Sequence, residues 1–206
     1  MFVATRIMQA GPGKALEAVA NAMALVESLN SSHGSDFAVG VQVGGDPTAI
    51  GASSRFESLE AYQAFIDAAQ ADEALQAKMM AASENLVAGA TEDTLWSIVR
   101  PPGEPQEFTT ASSANVRTSQ TAEALGFALE VAENATSVMG SEVGVVTAFT
   151  GDRSRLIWIS NAASMAQIQA NNDALMADAT YVDGFKRSEG LFVESTLTST
   201  IWRTVG

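Results

Sequence analysis

The chain has 206 residues, 47% apolar and 17% charged, a composition that belongs to a folded protein with a sizeable core and excludes a disordered one. Its 11 Lys and Arg face 24 Asp and Glu, a formal net charge of −13, so phosphate backbones and anionic bilayers are repelled and neither nucleic acid nor membrane is an expected partner. With no cysteine there is no disulfide, thiolate nucleophile or sulfur-ligated metal.

The first twenty residues, MFVATRIMQAGPGKALEAVA, lack a basic stretch followed by an unbroken apolar run, so no signal peptide is expected. No apolar run reaches the ~18 residues of a membrane span, and the expected location is cytoplasmic. The dominant feature is a repeat. Sliding the chain by 106 residues sets 1–100 against 107–206 without a gap and gives 23 identities. They include Phe2/Phe108, Glu17/Glu123, Glu27/Glu133, Gly45-Asp46/Gly151-Asp152 and Trp96/Trp202. The sequence therefore predicts repeat 1 over 1–100, a linker over 101–106 and repeat 2 over 107–206. The seam RPPGEPQ (Arg100 to Gln106) holds three of the five prolines and continues neither helix nor central strand.

Each repeat opens with a short strand, FVATRIM or FTTASSA. A helix follows, with Val19, Ala22, Met23, Val26 and Leu29 on one stripe and Leu125, Ala128, Leu129 and Ala132 on the other. Two strands come next, DFAVGVQV and TAIGASS in the first repeat, EVGVVTAF and SRLIWIS in the second. The Gly44-Gly45-Asp46-Pro47 segment between the first pair has the glycines of a phosphate loop. Such a loop runs from strand into helix, where free N–H groups hold the anion. Here the segment runs from strand to strand and Gly-Asp recurs at Gly151-Asp152, so it reads as a hairpin corner. A second helix starts at Ser58 or Ser164, whose hydroxyls suit a first helical turn, with Leu59, Tyr62 and Ile66 on one side. A further helical turn or two follows from Asp72 or Asp178. The strands DTLWSIV and STIWRTV close the units, giving β-α-β-β-α-β, the ferredoxin-like arrangement.

Two such units, with the stretch SSRFESLEAYQAFIDAAQADEALQAKM after the third strand, resemble the dimeric α+β barrel superfamily. The resemblance covers both repeats and is one of pattern. It implies an α+β fold in which two tandem ferredoxin-like repeats form an intrachain pseudo-dimeric barrel, with helices outside. Members include cofactor-independent quinone-forming monooxygenases of antibiotic biosynthesis, haem-degrading enzymes, chlorite dismutase relatives and muconolactone isomerases, so the fold leaves the chemistry open.

Candidate site residues come from comparing the repeats. Trp96 and Trp202 occupy matching places in the last strands, where a large aromatic packs a core or walls a ligand pocket. Trp158 matches Ala52, so the repeats do not enclose identical space. Phe65-Ile66 becomes Asn171-Asn172, amides that line a polar cavity or lie exposed on a rotated helix. Arg6 becomes Ser112; a strand arginine is suited to pair a ligand carboxylate or sits at a barrel end. The only histidine, His33, reads as a solvated loop residue in NSSHGSD, and Met139 replaces it in the second repeat. No second imidazole and no His/carboxylate spacing marks a metal site, and no cofactor is expected. There is no Gly-x-Ser-x-Gly elbow, and Asp46, Asp152, Asp67, Asp173, Asp72 and Asp178 are explained as turn or cap residues. No catalytic residue is identified. The reading favoured is a non-catalytic barrel that binds a small apolar or aromatic ligand. The alternatives are a cofactor-independent monooxygenase-like enzyme acting on an aromatic or quinone-type substrate, and a structural, homo-oligomer-forming barrel.

Overall fold

A computed structural model describes residues 1–205. In chain order the first repeat gives β1 (Phe2–Gln9), α1 (Ala15–His33), β2 (Ala38–Gly44), β3 (Ala49–Phe56), α2 (Leu59–Ala71), α3 (Glu73–Ser83) and β4 (Glu92–Arg100). The second gives β5 (Phe108–Asn115), α4 (Thr121–Met139), β6 (Val143–Ala148), β7 (Arg155–Ala162), α5 (Met165–Ala177), α6 (Ala179–Arg187) and β8 (Thr198–Val205). The strands hydrogen-bond in the closed order β1-β3-β2-β8-β5-β7-β6-β4, an eight-stranded α+β barrel from two tandem β-α-β-β-α-β repeats. The chain forms two compact units: unit 1 is Met1–Trp96 with the chain end from Arg203, and unit 2 is Ser97–Trp202. Among the described residues no helix is long and apolar enough to cross a membrane.

The helix boundaries follow from capping chemistry. Gly34 (φ 63°) and Gly140 (φ 67°) end α1 and α4 in the left-handed conformation, each N–H donating to the carbonyl four residues back. Ser58 and Ser164 accept from the N–H three residues on and start α2 and α5. Asp72 and Asp178 do the same for α3 and α6. These last helices run 11 and 9 residues, longer than the turn or two that the sequence predicts.

The Gly-Asp corners recur with the same bonding. Asp46 accepts from the Thr48 N–H and hydroxyl and from Gln9; Asp152 accepts from the Ser154 N–H and hydroxyl and from Asn115. These bonds, the hydroxyl's first, hold both carboxyls below the usual aspartate range.

In unit 1, Ala18, Ala22 and Val26 of α1 pack on Ala10, Val39 and Ile50, while a second cluster gathers Ala4, Phe56 and Leu95 with Phe37, Tyr62 and Phe65 around it. In unit 2, α4 lays Ala124, Ala128, Ala132 and Ala135 on Val143, Val145 and Leu156. The buried stripes are thus turned toward alanine from those the sequence predicts, and Met23 is 37% exposed.

The segment after β4 is held down within unit 2. Asn161 Nδ2 donates to the carbonyls of Gly103 (2.9 Å) and Glu104 (3.0 Å), and its Oδ1 accepts from Thr109. Pro102 lies so close to Gly144 that a Cβ there would come within 2.5 Å of the proline nitrogen. Gly144→Ala therefore forces backbone apart and is expected to lower stability by about 2 kcal/mol, read as a shifted urea midpoint.

Ser195 is the only non-glycine with positive φ among the described residues, at 63°, and its counterpart in the first repeat is Gly89, at 76°. A left-handed serine costs about 1–2 kcal/mol, partly offset by the larger unfolded-state entropy of glycine. Ser195→Gly is expected to raise stability by about 0.5–1 kcal/mol in the same assay.

Candidate functional site

Unit 1 contains a cavity of about 210 Å³ between β1, α1 and α3. Arg6 and Met8 come from β1, Ala18, Asn21, Ala22 and Leu25 from α1, and Met79, Ala82 and Ser83 from α3; Leu86 and Thr91 complete the lining. The wall is mainly apolar because α1 presents alanines here and the methionine and leucine side chains stop short of closing the space.

Its polar groups are few. Arg6 Nε and Nη2 donate to the two oxygens of Asp93, each at 2.7 Å, in a bidentate pair whose partners are 40% and 57% exposed. That pairing raises the guanidinium's pKa against the opposing effect of its burial. Tyr62 lies within electrostatic reach of the pair; burial raises its phenol's pKa, Asp93 adds to the rise and Arg6 opposes it. The Ser83 hydroxyl donates to the Met80 carbonyl (2.6 Å). Asn21 is half-buried on the apolar side of α1, and its amide has no hydrogen-bond partner among the described residues. An unmatched amide on such a wall is available to a ligand.

Of the residues singled out in the sequence, only Arg6 lines this cavity. Trp96 is 4% exposed and its indole donates to Thr5 Oγ1 at 2.8 Å. Trp202 is half-buried and donates to Thr200 Oγ1 at 3.0 Å. Asn171 is half-buried on α5, apart from this cavity. His33 is the last residue of α1 rather than a loop residue; its side chain is 12% exposed, with Nε2 3.2 Å from Asp72 Oδ2. Among the described residues no group of three His, Asp or Glu side chains is arranged to hold a metal ion.

Trp158 belongs to unit 2. On β7 it stands opposite Ser112 of β5, whereas in unit 1 Arg6 of β1 stands opposite Ala52 of β3. Large and small have changed places across the strand pair. Trp158 donates to the Ala128 carbonyl (3.0 Å) and packs edge-on against Phe192, which meets Phe127 in turn. Phe127, Phe185 and Phe192 hold the positions of Asn21, Met79 and Leu86, so rings in unit 2 replace the lining of the unit 1 cavity. Asn21 was missed in the sequence although the comparison that singled out Arg6, a polar residue against its repeat partner, also marks Asn21 against Phe127. Trp158→Ala would leave a hole beneath α4 and is expected to cost about 3 kcal/mol in thermal or urea unfolding.

No family model matches the sequence, and no curated protein matches it. Solved structures do resemble it. A candidate monooxygenase from Lactobacillus acidophilus superposes with a TM-score of 0.67 at 8% identity, over 99% of this chain and 92% of that one. A candidate monooxygenase from Fusobacterium nucleatum gives 0.68 at 9% identity, over 100% and 92%. An anthrone oxidase-like protein gives 0.71 at 12% identity, over 100% and 91%. At such identities the likeness is one of fold.

Proposed function

From the dimeric α+β barrel fold that this chain carries, we propose that unit 1 is a small-molecule-binding unit and that its cavity takes one apolar or aromatic ligand. The observation that carries this reading is the 210 Å³ space with the unpartnered Asn21 amide on its wall. An engineered apolar cavity of about 150 Å³ holds benzene, so this one suits a ligand of one or two fused rings. The apolar wall supplies the affinity, and Arg6 and Asn21 orient whatever oxygen or nitrogen the ligand bears. Unit 2 supplies no matching site in this reading, because Phe127, Phe185 and Phe192 stand at the places of Asn21, Met79 and Leu86.

A second reading, a cofactor-independent monooxygenase-like enzyme acting on an aromatic or quinone-type substrate, is favoured by the candidate monooxygenases among the similar structures. It uses the same cavity, with the Asp93 carboxylate and Tyr62 phenol beside Arg6 as the titratable groups at hand. A third, a homo-oligomer held by packing alone, predicts no ligand.

Native mass spectrometry with 2-naphthol as probe tests these readings. One naphthol per chain is expected, with binding at least tenfold weaker in Asn21→Phe, which places in unit 1 the ring that unit 2 carries at Phe127. Equal binding by the folded variant would remove the cavity from the argument. Oxygen uptake with a hydroquinone, without added metal or flavin and lost in the same variant, would select the enzyme over the binder. The same spectra report the oligomeric state that the third reading requires.

A further inference from the structure

The two units differ at a second place, where the last long helix of each repeat crosses the first. In unit 1, Lys78 of α3 reaches back to α1, and its ammonium donates to Ser28 Oγ at 3.0 Å. The matching residues of unit 2 are Gly184 and Asn134. The donor is gone and a larger acceptor has taken the hydroxyl's place. Asn134 Oδ1 is buried and has no hydrogen-bond partner among the described residues. Asn134 Nδ2 donates to Asp178 Oδ1 (3.4 Å), which fixes the amide so that its oxygen is the orphan. A cavity of about 100 Å³ opens at the spot, lined by Glu130, Asn134, Tyr181, Gly184 and Arg187 among others.

We propose that this cleft binds a primary alkylammonium group, the ligand standing where the lysine ammonium stands in unit 1. Three observations agree on that chemistry. The unmatched atom is an acceptor, and a buried acceptor without a donor is costly, so the occupant brings N–H or O–H groups. The charged groups around it are the Glu130 and Asp178 carboxylates and one guanidinium, Arg187, which pairs with Glu130 and lies over the Phe127 ring at 5.7 Å. That set is net negative, in a chain whose own charge is −13, and it favours a cation. Tyr181 is an aromatic member of the lining, a kind of neighbour that suits an ammonium. Size agrees as well, since the volume matches about three waters at 30 Å³ each, room for a short alkyl chain with its head group. Glycine is a poor residue inside a helix, yet Gly184 sits inside α6, where an added Cβ would meet only the Phe127 ring at 3.8 Å. Backbone geometry does not demand the glycine; the open space does depend on it. This site is separate from the unit 1 cavity and stands or falls on its own.

The test is titration of the ¹⁵N-labelled protein with n-butylammonium chloride, followed by NMR. Saturable shifts are expected at the Asn134 side-chain amide and the Gly184 backbone amide. Tetramethylammonium chloride, a cation without N–H donors, is expected to bind at least tenfold more weakly. Gly184→Lys supplies an internal ammonium, as Lys78 does in unit 1, and is expected to raise the melting temperature and abolish the shifts. Asn134→Leu removes the acceptor and is expected to weaken binding at least tenfold in a chain that remains folded by its amide spectrum. Shifts that rise linearly without saturating, equal binding of the two cations, or undiminished binding by folded Gly184→Lys would each overturn the proposal and leave water as the occupant.

Discussion

Each unit depends on how closely its long first helix lies on its sheet, and that distance is set by alanine. Ala124, Ala128 and Ala132 of α4 are wholly buried, and Ala18 and Ala22 of α1 nearly so. With no side chain beyond Cβ at these positions, helix backbone and sheet come close along one line, and the larger residues must fill the wedge of space to either side. The units fill it differently. Unit 2 uses Trp158, Phe127 and Phe192, with the indole N–H matched to a helix carbonyl. Unit 1 places its rings elsewhere, around Phe37, Phe56, Tyr62 and Phe65, and leaves the wedge between α1 and α3 open. The same framework thus yields a filled wedge in one unit and an open one in the other, from two copies of one pattern.

Much of the fold was legible. Periodicity separated helix from strand, the repeat fixed the element order, and the recurring Gly-Asp corners showed that the glycines turn a hairpin and do not cradle phosphate. The helix stripes were read less well. Val19, Met23, Leu125 and Leu129 look more hydrophobic than alanine, yet Ala18 and Ala124 are the buried residues. Closeness of approach is decided by size, which a hydrophobicity pattern does not weigh. His33 was misread because its partner, Asp72, is 39 residues away and caps a helix that sequence reduced to a turn or two.

The site was legible only where one repeat could be checked against the other. That comparison marks Arg6 against Ser112, and it marks Asn21 against Phe127 and Lys78 against Gly184 with equal force. It does not say what a difference is for. Trp158 stands out in sequence because its partner is Ala52; only the strand register shows that it stands opposite Ser112, where unit 1 sets Ala52 opposite Arg6. Trp96 and Trp202, alike in sequence, hydrogen-bond to different threonines, one in another strand and one two residues upstream. Thr5, the partner of Trp96, lies in another strand and 91 residues away, beyond the reach of local pattern.

The proline-rich segment between the repeats invites use as a cutting or grafting point, since connectors of that composition are commonly exposed and loose. Its anchoring by Asn161 and its contact with Gly144 argue otherwise. A protease needs several residues of extended, detached chain, and an inserted domain needs ends that move freely; neither is offered where two successive carbonyls are held by one amide. The exposed segments Val87–Gly89 and Val193–Ser195 are tied to their units as well, the Val87 N–H donating to the Gln9 carbonyl (2.9 Å) and the Val193 N–H to the Asn115 carbonyl (2.8 Å). For anyone wishing to split, permute or decorate this chain, the seam between its repeats is therefore a poor handle, whatever its composition suggests.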